Sequence, residues 1–163
     1  MKILAVYYSR TGTTEAVARS AADLLAEMGH ALTRVALQPR VDLPYPLWLA
    51  LSFVPGSRFP VAAPPDPSGF DACLLALPKW TFACPPVNTF LAQHGSRLPP
   101  TAVLVTCGGW DQDRYLAQLE RRLQGQGVSV LGGLALRKKE LQGDPLPQIL
   151  SDLLGTCFPV SGS

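Results

Sequence analysis

Residues 2–9 read KILAVYYS, an almost unbroken apolar run of strand length, and they lead through the hydroxyl-rich stretch SRTGTT at 9–14 into an amphipathic segment. A strand with no polar face must be covered on both sides, as happens in parallel sheets flanked by helices. In the segment that follows, Val17, Ala21, Leu24, Leu25 and Met28 recur at helical spacing. Glu15, Arg19, Asp23 and Glu27 take the other side, and Gly29 supplies a stop. The spacing therefore predicts a strand, a tight loop and a helix over 14–28.

The same alternation continues. Further strands fit 31–38, FDACLLALP at 70–78, TAVLVTC at 101–107 and GVSVLGGLALRK at 127–138, the last interrupted by Gly132 and Gly133. Helical patterns fit 86–94 and 112–123, the second with Tyr115, Leu116, Leu119 and Leu123 on one face. A final helix opens at Asp144 and Pro145 and turns Ile149, Leu150, Leu153 and Leu154 inward. Five strands alternating with helices predict an α/β fold, a doubly wound five-stranded parallel sheet with helices on both faces. A chain of 163 residues is long enough to do this as a single domain over 1–163, with a core that needs no disulfide or metal.

The stretch 39–68 fits least well, being rich in proline yet containing PLWLALSFVP at 46–55. Ten residues are too few to span a bilayer. The segment reads as a short helix starting at Pro46 and packed on the sheet; a homodimer surface or a lid over a ligand are the next readings, and direct membrane attachment is the least favoured.

Hydrophobic residues make up 47% of the chain and charged ones 16%, with 14 Lys and Arg against 12 Asp and Glu. That balance argues against disorder and against a nucleic-acid partner. Met1 and Lys2 lead directly into a strand with no secretory leader pattern, which implies the cytoplasm. Cys73, Cys84, Cys107 and Cys157 are scattered without a C-x-x-C pair or attendant histidines, so no metal is expected and all four read as reduced thiols. His30 and His94 follow helical segments and read as surface residues.

The most specific feature is the loop of Ser9, Arg10, Thr11, Gly12, Thr13 and Thr14 between the first strand and the first helix. A helix N-terminus leaves backbone N–H groups unpaired and carries partial positive charge, so a loop wrapping it binds anions. Gly12 permits a tight turn, and the hydroxyls of Ser9, Thr11, Thr13 and Thr14 can donate to several phosphate oxygens. The loop lacks both the lysine of a P-loop and a G-x-G-x-x-G pattern, which points to a monophosphate. An ordinary capped turn would share some of these residues but not so many hydroxyls.

Here the sequence resembles the flavodoxin family, whose phosphate loop reads [S/T]-x-T-G-x-T and is matched at Ser9, Thr11, Gly12 and Thr14. LPKWTFACPPVNTFL at 77–91 is similar to the family's loop after strand three, and VTCGGWD at 105–111 to its loop after strand four. The resemblance implies strand order 2-1-3-4-5 and an FMN cofactor. The FMN ring would lie in the crevice where the winding reverses, between the first and third strands. Pro78, Lys79, Trp80, Thr81 and Phe82 would line one side of the ring, with Trp80 its main aromatic neighbour. Thr106, Cys107, Gly108, Gly109, Trp110 and Asp111 would line the other. Cys84 and Cys107 read as small buried fillers near the crevice. In such proteins the flavin carries the electrons, so no catalytic acid, base or nucleophile is expected from the chain.

The chain has Ala76 and Leu77 before Pro78 where many relatives have Gly-Ser or Gly-Thr, and its formal charge of +2 contrasts with the acidic electron carriers of the family. The implied function is an FMN-binding redox protein, an electron carrier or a small oxidoreductase acting between a nicotinamide and a quinone or other acceptor. Its partner would be a redox protein or a small-molecule acceptor. The other reading is a non-redox module that binds another phosphorylated ligand or a protein.

Overall fold

The computed structural model describes residues 1–62, 66–80 and 82–160. Along the chain run β1 (Lys2–Tyr7), α1 (Thr13–Glu27), β2 (Ala31–Ala36), α2 (Tyr45–Ser52), β3 (Ala72–Pro78) and α3 (Pro85–His94). They are followed by β4 (Thr101–Cys107), α4 (Gln112–Gly125), β5 (Val130–Arg137), the single turn α5 (Lys138–Leu141) and α6 (Pro145–Cys157). All sheet pairings are parallel and the order is β2-β1-β3-β4-β5, as expected. The winding reverses between β1 and β3, so a crevice opens at the carboxyl ends of these strands.

The continuous apolar runs of β1, β3 and β4 arise because both faces are covered. Ile3, Ala5, Leu74 and Leu104 meet Val17, Ala21 and Leu25 of α1 and Leu150 and Leu154 of α6. Leu4, Val6, Leu75 and Val103 point the other way, to Val87, Phe90 and Leu91 of α3 and Leu119 and Leu123 of α4. The glycines that interrupt β5 mark close helix approach on both sides. A Cβ on Gly132 would lie 2.9 Å from Cys157 Sγ, and one on Gly133 would run into Glu120 and lie 2.9 Å from Leu116 Cδ1.

Residues 46–52 of the 46–55 stretch lie in α2, which begins at Tyr45, one residue before the expected Pro46, and covers the sheet on its inner side only. Trp48 is fully buried, with ring centroids 4.7 Å from Phe59, 5.9 Å from Trp80 and 6.5 Å from Tyr8. Its indole N–H donates to Asp42 Oδ1 at 3.3 Å, which satisfies the buried donor. Leu47, Phe53 and Val54 remain more than half exposed.

His30 corrects its surface reading, since it is buried. Its Nε2 lies 3.0 Å from the Phe158 carbonyl oxygen and its Nδ1 3.4 Å from the Met1 amine. The turn at Gly29 brings the ring beneath the residues that follow α6, a contact across 128 positions that local spacing does not encode. His94 is half-buried against Phe90. The four cysteines are free and buried. Among the described residues no helix is long and apolar enough to cross a membrane, and no cluster of three or more His, Cys, Asp or Glu could hold a metal ion.

Candidate functional site

The chain leaves β1 at Tyr7 and enters α1 through Gly12, whose φ of 89° lies in the left-handed region that glycine tolerates best. Within this turn the Gly12 N–H donates to Ser9 Oγ at 3.0 Å, so Ser9 shapes the loop while its own O–H stays available to donate. Among the described residues no side chain caps α1, which leaves the N–H groups of its first turn directed at the loop. Thr11 and Thr13 are exposed, with their hydroxyls 3.5 Å apart. Thr14 is turned inward: it is buried, and its hydroxyl lies 2.8 Å from Thr106 Oγ1. Arg10 is exposed, its guanidinium 5.1 Å over the ring of Tyr45.

The two other loops leave neighbouring strands in register. Pro78 pairs with Thr106, and the Lys79 N–H donates to the Thr106 carbonyl at 2.7 Å. Trp80 is half-buried, edge-on to Tyr8 with centroids 5.5 Å apart. Phe82 is 56% exposed and packs edge-to-face on Phe53 at 6.2 Å. Thr81 lies outside the described residues. Across the crevice, Gly108 and Gly109 have open space where a side chain would be, and Gly109 has a φ of 109°. Trp110 is 70% exposed, and Asp111 opens α4 with a φ of 51°, a left-handed conformation that Asp tolerates better than most residues.

Lys79 bridges the two loops. Its ammonium donates to the Trp110 carbonyl oxygen at 2.8 Å and sits 4.6 Å from the centroid of the indole. Cys107 donates to the Leu136 carbonyl at 3.5 Å, and burial raises its thiol pKa, so it packs as a small filler. Burial also pushes Cys84 up to about 12 and holds the Tyr8 phenol well above its usual range.

Beside Phe82 the crevice continues into a groove and a cavity that join residues of the two ring-binding loops to Arg114, Tyr115 and Arg122 of α4, which no sequence motif marked as site residues. A groove of about 380 Å³ is lined by Lys79, Phe82, Trp110, Asp111 and Arg114. Next to it, a cavity of about 250 Å³ is bounded by Leu77, Phe82, Val87, Asn88, Tyr115 and Arg122. Asn88 belongs to α3 and Arg122 to α4, so only packing joins them. One signal was available: Arg122 falls on the same helical side as Tyr115, Leu119 and Leu123, a cation where the pattern asks for an apolar residue.

A parallel five-stranded sheet of this order, with three loops gathered at its carboxyl end, defines a flavodoxin-like α/β protein. The sequence is 30% identical over 139 residues to an uncharacterized protein of Archaeoglobus fulgidus, covering 85% of this chain and 88% of that one. The chain belongs with that protein to one flavodoxin-like family. No family model matches the sequence. Among solved structures, a Bacteroides eggerthii protein described as a candidate flavoprotein superposes with a TM-score of 0.73 at 18% identity, covering 99% of both chains. The two-electron reduced flavodoxin of Megasphaera elsdenii superposes with a TM-score of 0.64 at 17% identity, covering 95% of this chain and 98% of that one. At these identities the likeness is one of fold.

Proposed function

We propose that the protein binds FMN in this crevice and acts in the cytoplasm as a redox protein, exchanging electrons with a small-molecule acceptor or a redox partner through the flavin. The observation that carries the reading is the meeting of the three loops at the carboxyl ends of β1, β3 and β4, which are neighbours in the sheet. The donor set fits a phosphate monoester: Ser9, Thr11 and Thr13 offer hydroxyls, and the uncapped first turn of α1 offers N–H groups. Gly108 and Gly109 leave room for close approach of a flat ring, and Trp110 and Phe82 offer exposed aromatic surface. When bound, FMN supplies the reversible electron chemistry, while the chain binds, orients and tunes it. Lys79 would set a positive charge at the rim. The bare outer side of α2 lies in the same chain segment as Phe53, which packs on Phe82, and so offers apolar surface near the crevice to a partner or a second copy.

Equilibrium titration with FMN and riboflavin tests the reading. FMN should bind far more tightly, and Gly12→Val should abolish the difference by forcing a β-branched residue into a left-handed turn. Equal affinity for the two flavins would show that the loop from Ser9 to Thr14 does not hold the phosphate. Equal affinity for FMN and a phosphate monoester without the ring would favour a non-redox module.

A further inference from the structure

The cavity beside Phe82 has an unusual charge arrangement. The Arg122 guanidinium donates to Asn88 Oδ1 and, among the described residues, forms no ion pair. A guanidinium has five N–H donors, so most of its capacity is left for something else. Its site is half-buried.

Arg58 adds a second positive charge nearby, and its backbone neighbourhood is fixed from α3. Asn88 Nδ2 donates to the Ser57 carbonyl at 2.8 Å, and Thr89 Oγ1 donates to the Phe59 carbonyl at 2.6 Å while accepting from the Phe59 N–H at 2.9 Å. Arg58 lies between these anchors and is exposed, with no ion pair among the described residues. Burial and the like charge of Arg58 both lower the pKa of Arg122. Holding two cations together without a counter-charge is unfavourable, and an anion would relieve it.

The remaining walls narrow the ligand. Leu77, Phe82, Ala83, Val87 and Leu119 supply apolar surface, and among the described residues no acidic side chain lines the cavity. The adjoining groove holds Asp111 together with Lys79 and Arg114. A pocket that sets these apolar and aromatic walls beside the polar groups of Asn88, Gln118 and one planar guanidinium matches a flat apolar body carrying a carboxylate. Phe82 lines both this cavity and the groove beneath Trp110, so such a ligand would reach toward the ring-binding loops.

We propose that the cavity of Arg122, Asn88 and Tyr115, with Arg58 nearby, binds the carboxylate of a small aromatic substrate whose body extends past Phe82 toward the crevice. That this ligand is a substrate rests on the redox reading above; carboxylate recognition does not.

The test compares 2-naphthoate with its neutral analogue 2-naphthamide by calorimetric titration, on protein prepared with and without FMN. The native protein should prefer the carboxylate by roughly 10- to 100-fold, the worth of a charge-assisted hydrogen bond in a partly buried site. Arg122→Gln should remove the preference, Arg58→Gln should reduce it severalfold, and FMN affinity should be unchanged in both. If the glutamine variant fails to fold, Arg122→Lys keeps the charge but loses the planar fork, and should reduce the preference severalfold. Equal binding of the two probes to the native protein, or a preference that survives in Arg122→Gln or is unchanged in Arg122→Lys, overturns the proposal. A preference for naphthoate in a protein that does not bind FMN would leave the carboxylate site standing and sink the redox reading. FMN binding without the preference would do the reverse.

Discussion

Thr14 points away from the loop it belongs to. Its hydroxyl belongs to a phosphate-loop pattern, yet it is buried on Thr106 and ties the first loop to the end of β4. Thr14→Val leaves the Thr106 hydroxyl without its partner and should cost about 1–2 kcal/mol in denaturant unfolding. FMN affinity should change little in that variant, whereas Thr11→Ala and Thr13→Ala should weaken it without lowering stability. The two crevice tryptophans should separate in the same way. Trp80 packs on Tyr8 and Trp48, so Trp80→Ala should lower the melting temperature as well as weaken and brighten bound flavin. Trp110 is 70% exposed, so Trp110→Ala should leave melting unchanged and act on flavin alone. Cys73 and Cys84 are pushed up to about 12 by burial, and a disulfide reagent at pH 8 should meet neutral, covered thiols. The unfolded thiols lose their protons at lower pH than the folded ones. Their contribution to stability is therefore complete below about pH 8.5 and declines as pH rises toward 12.

At the scale of elements, α2 divides into an inner and an outer side with different consequences. Trp48→Ala empties a fully buried site and should cost about 3–5 kcal/mol. Leu47→Ser, on the bare side, should stay within about 0.5 kcal/mol in an isolated protomer. A larger loss, or a fall in solution mass, would show that a second copy covers this side. In β5, Gly133→Val drives a branched side chain against Leu116 and Glu120 of α4 and should cost about 1–3 kcal/mol by thermal or denaturant unfolding. The sequence expressed β5 as a strand interrupted by two glycines; the helices crossing there are the reason.

Across the molecule, FMN held by all three loops would couple to folding as a unit, because the loops are anchored on adjacent strands. FMN at about 100 times its dissociation constant should raise unfolding free energy by about 2.7 kcal/mol, and riboflavin at the same concentration much less. A thermal-shift series with both ligands measures this without any assay of activity. The alternation of strands and helices and the loop from Ser9 to Thr14 were legible in the sequence. Both are local: apolar period, caps and turn residues act within a few positions of themselves. The sequence could not say that Thr14 faces β4, that His30 is covered by the C-terminal residues, or that Arg122 meets Asn88 across 34 positions. Those contacts depend on how separate elements stack on the two faces of the sheet, and the periodicity of each element alone carries no information about its neighbour.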